Sequence, residues 1–199
     1  KGTDAGTYDM NLAPGDFKNT NGNFKNVRFV IYDGTLVISP RTLTITSGSD
    51  SKEYNGTPLT SSTVTVTGDG FVDGEVTDIK AIGTITTVGE VDNDIKYTKE
   101  AGYKDSNYII TPVIGKLGIT QSTKDLKVVA NSNSWEYDGK FHADGGYTVT
   151  FGTETYTVAA GESAKLSTGD TVTAIITKQV KNVADSDDGN NAIVTLTID

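Results

Sequence analysis

The sequence predicts an all-β chain, an elongated tandem array of small β-sheet modules, and three observations carry that prediction. The first is composition: 31 Thr and 22 Gly in 199 residues, with one Met and 4 Pro. β-Branched side chains fit a pleated surface, and glycine supplies turns. The second is alternation. Leu36-Val37-Ile38, Thr63-Val64-Thr65-Val66-Thr67, Tyr147-Thr148-Val149-Thr150-Phe151 and Ile193-Val194-Thr195-Leu196-Thr197-Ile198 each offer one face for burial. The third is internal repetition with a period of about 80 residues, the mark of a modular array.

Residues 1–39 read as the back half of a first unit. The run Asn26-Val27-Arg28-Phe29-Val30-Ile31-Tyr32-Asp33-Gly34-Thr35-Leu36-Val37-Ile38 aligns without gaps on residues 107–119, 81 positions later, and both runs end in Gly-x-Leu-x-Ile. Asp4-Ala5-Gly6 likewise precedes Thr87-Val88-Gly89 by 83 positions.

Residues 40–120 read as a complete unit. It opens with Thr42-Leu43-Thr44-Ile45 and Lys52-Glu53-Tyr54-Asn55-Gly56, which recur as Leu126-Lys127-Val128-Val129 and Trp135-Glu136-Tyr137-Asp138-Gly139; Tyr137 lies 83 positions after Tyr54. Residues 121–199 form a third, divergent unit. Gly74-Glu75 and Thr87-Val88-Gly89 recur 95 positions later as Gly169-Asp170 and Asn182-Val183-Ala184, so this copy carries an insertion of 12 residues, assigned to the stretch from Phe151 to Lys165. A clear Gly-x-Leu-x-Ile ending is missing from it.

Asn55-Gly56, Asp138-Gly139 and Asp33-Gly34 read as turns, because Asn, Asp and Gly accept positive φ. Ser39-Pro40-Arg41 and the polar run 120–125 read as joints that leave adjacent units end to end with limited freedom. The best helical stretch, Gly70-Phe71-Val72-Asp73-Gly74-Glu75, holds two glycines that limit it to one turn. The modules are therefore expected to be β-sandwich-like, or β-grasp-like α+β units with that single turn crossing between strands.

Charge narrows the function. With 26 acidic against 17 basic residues, a net charge of -9 and no basic stripe, nucleic acid is excluded as an expected partner. No apolar run approaches the roughly 20 residues of a membrane-spanning helix, so direct membrane insertion is not expected either. The abrupt start at Lys1-Gly2-Thr3-Asp4 reads as a fragment cut from a longer protein.

The Tyr-Asn-Gly and Tyr-Asp-Gly elements, the Gly-[Glu/Asp] step, the Thr-Val-Gly ending and the Asn-Tyr-Ile-Ile…Gly-x-Leu-x-Ile closing strand together resemble the MBG-type (YDG/YGX-type) repeats of bacterial cell-surface adhesins. The resemblance covers nearly the whole chain and is strongest over 40–120. It implies a secreted, extracellular segment on the bacterial surface, related to mucin-binding β modules, that acts as a stalk or spacer and in adhesion to host glycoprotein. A monomer whose partners are the adjacent repeats of its own chain is expected. A carbohydrate-binding accessory module of a secreted glycanase is the alternative.

Catalytic chemistry finds little to work with. Cysteine is absent and His142 is the one histidine, so neither an imidazole-activated nucleophile pair nor a multi-His metal site forms within the chain. His142 reads as a surface-loop residue. Ser49-Asp50-Ser51-Lys52 matches a Ser-x-x-Lys pattern but sits in a turn with no helix to align the two groups. Gly68-Asp69-Gly70-Phe71-Val72-Asp73-Gly74 lacks the spacing of a phosphate loop, and Asn55-Gly56-Thr57, although an acceptor pattern for glycosylation, reads as a turn.

Two candidate sites remain. Asp185, Asp187 and Asp188 cluster oxygen ligands of the kind Ca²⁺ takes, in a register unlike an Asp-x-Asp-x-Asp-Gly loop. A polar hairpin tip accounts for them, and for Asp92-Asn93-Asp94 in the second unit. Trp135 and Tyr137 alternate, so on a strand they share a face, where they could present a sugar-stacking platform. Tyr137 matches Tyr54 and is expected to pack in a core, whereas Trp135 matches Lys52 and is expected to be exposed.

Overall fold

In a computed structural model, which describes residues 2–185 and 191–199, the chain is built from β-strands with almost no helix. It forms two compact units. One comprises Lys1–Asp50, Thr60–Gly83 and Asp92–Lys116; the other comprises Ser51–Leu59, Thr84–Val91 and Leu117–Asp199.

The first strands, β1 (Gly6–Asp9) and β2 (Thr35–Ile38), pair antiparallel as a two-stranded ribbon. Neither face is covered: Leu36 and Val37 are both exposed. Residues 26–34, which align with a strand further on, contain no strand here.

Eight strands follow: β3 (Arg41–Ser47), β4 (Asp50–Glu53), β5 (Val64–Gly68), β6 (Val76–Ala81), β7 (Gly89–Asn93), β8 (Ile95–Lys99), β9 (Tyr108–Val113) and β10 (Gly115–Thr120). They make sheets in the orders β5-β3-β9, β6-β8 and β4-β10-β7. β3 is the central strand of the first, antiparallel to β5 and parallel to β9. Leu43 and Ile45 point from it into a core with Tyr108, covered by Val64, Val66, Phe71 and Tyr97. A second core gathers Leu59, Ile85, Leu117 and Ile119 under Tyr54 and Val91.

The remaining strands are β11 (Leu126–Ala130), β12 (Tyr147–Phe151), β13 (Glu154–Val158), β14 (Ala164–Lys165), β15 (Thr171–Ile176) and β16 (Ile193–Ile198), in the orders β11-β12-β13 and β14-β15-β16. Their core is the largest of the three, with Tyr147, Val149, Phe151, Leu166 and Val172 buried and Leu126 and Val128 partly covered at its margin.

Register ties these strands to the earlier ones. Leu43 faces Gly68 and Ser47 faces Val64; 83 positions later, Leu126 faces Phe151 and Ala130 faces Tyr147. The difference lies at the third strand. β3 takes β9 as its second neighbour, whereas β12 takes β13, which falls in the stretch from Phe151 to Lys165 where the extra residues were expected.

The expected helical turn at Gly70–Glu75 is not a helix. A hydrogen-bonded turn stands there, with the Glu75 N–H on the Val72 carbonyl at 3.1 Å and Gly74 at φ +80. Short 3-10 turns occur instead at Pro14–Asp16, Asp105–Asn107 and Val183–Asp185. Asp92-Asn93-Asp94 is no hairpin tip either, since β7 neighbours β10 and β8 neighbours β6. Asn93 is fully buried. Its Oδ1 accepts from the Gly83 N–H at 2.9 Å, and its Nδ2 donates to the carbonyls of Gly48 and Ser61 at 2.8 and 2.9 Å. A polar side chain is tolerated there because all its hydrogen-bonding groups are satisfied.

Candidate functional site

The second compact unit holds a cleft of about 520 Å³, lined among others by Trp135, Tyr137, His142, Val180, Lys181 and Asn191. Between Tyr137 and His142 of that lining runs the turn at Asp138-Gly139, where Gly139 takes φ +74. Asp138 Oδ1 accepts the Lys140 N–H at 2.9 Å and lies 2.8 Å from His142 Nε2. Those two contacts, the backbone one first, hold the Asp138 carboxyl below its ordinary range. The His142 backbone exchanges two hydrogen bonds with Val180, at 2.8 and 2.9 Å. The imidazole so fixed stacks against the Trp135 indole, with ring centres 5.1 Å apart and planes 17° from parallel.

Trp135 is exposed, as its alignment with Lys52 implied. Tyr137 is exposed too, which corrects the expectation that it packs in a core. The two do not share a strand face, because residues 131–138 form no strand. Tyr54, its counterpart, packs against the second core and donates its hydroxyl to Asp170 Oδ1 at 3.0 Å.

The cleft has a position-by-position counterpart. Leu59 and Ile85 exchange backbone hydrogen bonds as an isolated antiparallel bridge, and 83 and 95 positions on, His142 and Val180 do the same. The Leu59–Ile85 bridge is buried together with Leu117 and Ile119 of β10. The His142–Val180 bridge lines the cleft. This equivalence was readable in the sequence: carrying the Tyr54 offset on by five residues places His142 on Leu59, a polar residue where the earlier module has a core position.

Asn191 sits at the edge of this space. Its Nδ2 donates to the Asn131 carbonyl at 2.5 Å, while its Oδ1 is buried and has no hydrogen-bond partner among the described residues. Asn131 is 83 positions after Gly48, so Asn191 takes up one of the bonds that Asn93 makes in the earlier module.

Of the oxygen cluster proposed for Ca²⁺, Asp187 and Asp188 lie outside the described residues. Asp185 closes a 3-10 turn: its Oδ2 accepts the N–H groups of Asn182 and Lys181 at 2.7 and 3.0 Å, which lowers its pKa. Ser49 and Lys52 are engaged separately, Ser49 Oγ by the Lys116 N–H and Lys52 Nζ by Asn55 and Thr57. In the glycine-rich stretch, the Val72 N–H is taken by the Tyr108 hydroxyl at 3.0 Å.

The chain matches no family model, no curated protein and no solved structure. What the cleft offers chemically is a flat aromatic wall, a carboxylate-held imidazole and an unsatisfied amide oxygen.

Proposed function

We propose that the chain is a non-enzymatic stalk or spacer from an extracellular bacterial surface protein, an elongated array of β modules that holds an adhesive region for host glycoprotein away from the cell. The observation that carries this reading is the common register of β3·β5 and β11·β12 at an offset of 83, one framework laid down twice along the chain. The connection 120–125, read from the sequence as a joint, supports it. Glu53 accepts the Thr123 N–H at 2.6 Å together with the hydroxyls of Ser122 and Thr123, which restrains the connection 120–125. Gly56 lies so close to the Thr168 carbonyl that an added Cβ would come within 1.7 Å of its oxygen, so the turn at 55–56 admits no larger residue.

Small-angle scattering tests it. A compact chain of this length has a radius of gyration of about 16 Å. A rod gives a clearly larger value and a skewed distance distribution, and a value near the compact one overturns the proposal.

The exposed Trp135 favours a second reading, a carbohydrate-binding module. Glycan-array binding that disappears in Trp135→Ala would establish it, and an array without hits would remove it.

A further inference from the structure

Three asparagines of this chain fold their side chains over the following peptide in the same way. Asn19 Oδ1 accepts the Asn21 N–H at 3.0 Å, Asn21 Oδ1 accepts the Asn23 N–H at 3.0 Å, and Asn55 Oδ1 accepts the Thr57 N–H at 3.1 Å. Each is an Asx turn, in which a side-chain carbonyl bonds two residues ahead. That bond draws the amide carbon over the backbone nitrogen of the residue between, which is Thr20, Gly22 and Gly56 in turn. At Gly22 and Gly56 no side chain hinders the approach of the two atoms.

Asn55 has what the other two lack. Its Oδ1 also accepts from the Lys52 ammonium at 2.9 Å and from the Thr57 hydroxyl at 2.8 Å. The ammonium is held in place by further bonds to the Thr57 carbonyl and Oγ1, both at 2.7 Å, and to the Pro58 carbonyl at 3.2 Å. Three donors, one of them charged, converge on a single amide oxygen. Among the described residues, Oδ1 of Asn19 and of Asn21 accepts only the one N–H each. Donors fixed where negative charge develops are what an oxyanion hole supplies to acyl transfer.

We propose that Asn55 is a self-modification site, at which this turn drives the loss of the side-chain amide through a cyclic imide. The Gly56 nitrogen, giving up its proton to solvent base, attacks the Asn55 Cγ, and the carbonyl electron pair moves onto Oδ1, where Lys52 and Thr57 hold the charge. Collapse breaks the bond from Cγ to the amide nitrogen, which takes a proton from water and leaves as ammonia. Water then opens the imide at either carbonyl and leaves an aspartyl or isoaspartyl residue. Asn55 is exposed, so base and water reach it. The turn also suits the acid: the repeat carries Asp138 at the position of Asn55, with Oδ1 accepting the Lys140 N–H at 2.9 Å and lying 2.8 Å from His142 Nε2. That is the same Asx bond beside a basic side chain.

Incubating the folded chain in mildly alkaline buffer, then digesting it and measuring conversion at each asparagine by mass spectrometry, tests the proposal. Asn55 is expected to convert about tenfold faster than Asn21, less than the 10²–10³ a donor contributes in a water-excluded active site because this one is exposed. Asn19, which precedes no glycine, should be the slowest. Lys52→Met should bring Asn55 to the Asn21 rate and leave Asn21 unchanged, whereas Thr57→Ser, which keeps the hydroxyl, should retain the fast rate. In urea, where the donors no longer converge, the two Asn-Gly sites should react alike. Conversion of Asn55 at or below the Asn21 rate in the unmodified folded chain, a comparison that needs no variant to fold, overturns the proposal. So does a Lys52→Met protein that converts as fast as the unmodified chain. A stable cross-link between Lys52 and Asn55 overturns it as well, since the lysine would then be the nucleophile and not a donor.

Discussion

The sheets β5-β3-β9 and β11-β12-β13 start from the same antiparallel register and end with different strands in the middle. In the first, β9 is added beside β3, and Leu43 and Ile45 on β3 are buried to 1% while Val64 and Val66 on β5 stay partly covered. In the second, β13 is added beside β12, and Tyr147 and Val149 on β12 are buried completely while Leu126 and Val128 on β11 stay partly covered. Burial follows the central strand, and the central strand is decided by where the third one docks. Equivalent positions thus exchange roles: Ile45 matches Val128, and Val66 matches Val149.

The largest test of this contrast concerns the two asparagines. Asn93 satisfies three backbone groups from a fully buried position, and Asn191 makes one such bond among the described residues. Asn93→Ala leaves Gly83, Gly48 and Ser61 without their partner, a loss of roughly 2–4 kcal/mol at the cost typical of unpaired buried groups. Asn191→Ala should cost about 1 kcal/mol or less on the same scale, because it also removes the orphaned Oδ1. Hydrogen exchange at the amides of β3 and β11 reads the two effects separately, since two compact units need not unfold together. Equal losses would break the comparison.

Core truncations come next and should cross over. Leu43→Ala removes a fully buried side chain and should cost about 2–5 kcal/mol, against about 1 kcal/mol for Leu126→Ala at the sheet margin. On the partner strands the order inverts: Val149→Ala should cost about 1.5–3 kcal/mol and Val66→Ala about half of that. Denaturant titration with exchange detection checks all four. If Leu126→Ala proves as costly as Leu43→Ala, burial does not follow the central strand.

Much of this framework is legible in the sequence. The alternation at Tyr147–Phe151 and Ile193–Ile198 names the strands β12 and β16, Asn55-Gly56 and Asp138-Gly139 name turns with Gly56 and Gly139 at positive φ, and the offset of 83 carries straight into the register. Alternation specifies a face and not a neighbour, however, so the parallel pairing of β3 with β9 and the central place of β12 are settled by tertiary docking. Polarity misleads at Asn93. Flanked by Asp92 and Asp94 it reads as solvent-facing, and only three partners distant in sequence make its burial favourable. Tyr137 misleads in the opposite sense: the match to Tyr54 transfers a residue type, while among the described residues nothing covers Tyr137 as the second core covers Tyr54.

The smallest expected effect separates the two connections expected as joints, 39–41 and 120–125. At Arg41 the guanidinium donates to the carbonyls of Asp69 and Gly70, and carbonyl oxygens do not titrate. At 120–125 the anchor is the Glu53 carboxylate, whose pKa is lowered chiefly by the Thr123 N–H and further by the hydroxyls of Ser122 and Thr123. A carboxyl held below its free value contributes stability that is fully present above that ordinary value and is lost as pH falls through the lowered one. Acid should therefore release the second joint while the Arg41 contacts persist. The Thr123 amide resonance should titrate below the usual glutamate range and lose that transition in Glu53→Gln, with the Arg41 side-chain signals unchanged over the same interval. A Thr123 midpoint at the ordinary glutamate value would mean that the carboxylate does not anchor the connection, and the stiffness proposed for that joint would then rest on the turn at Asn55-Gly56 alone.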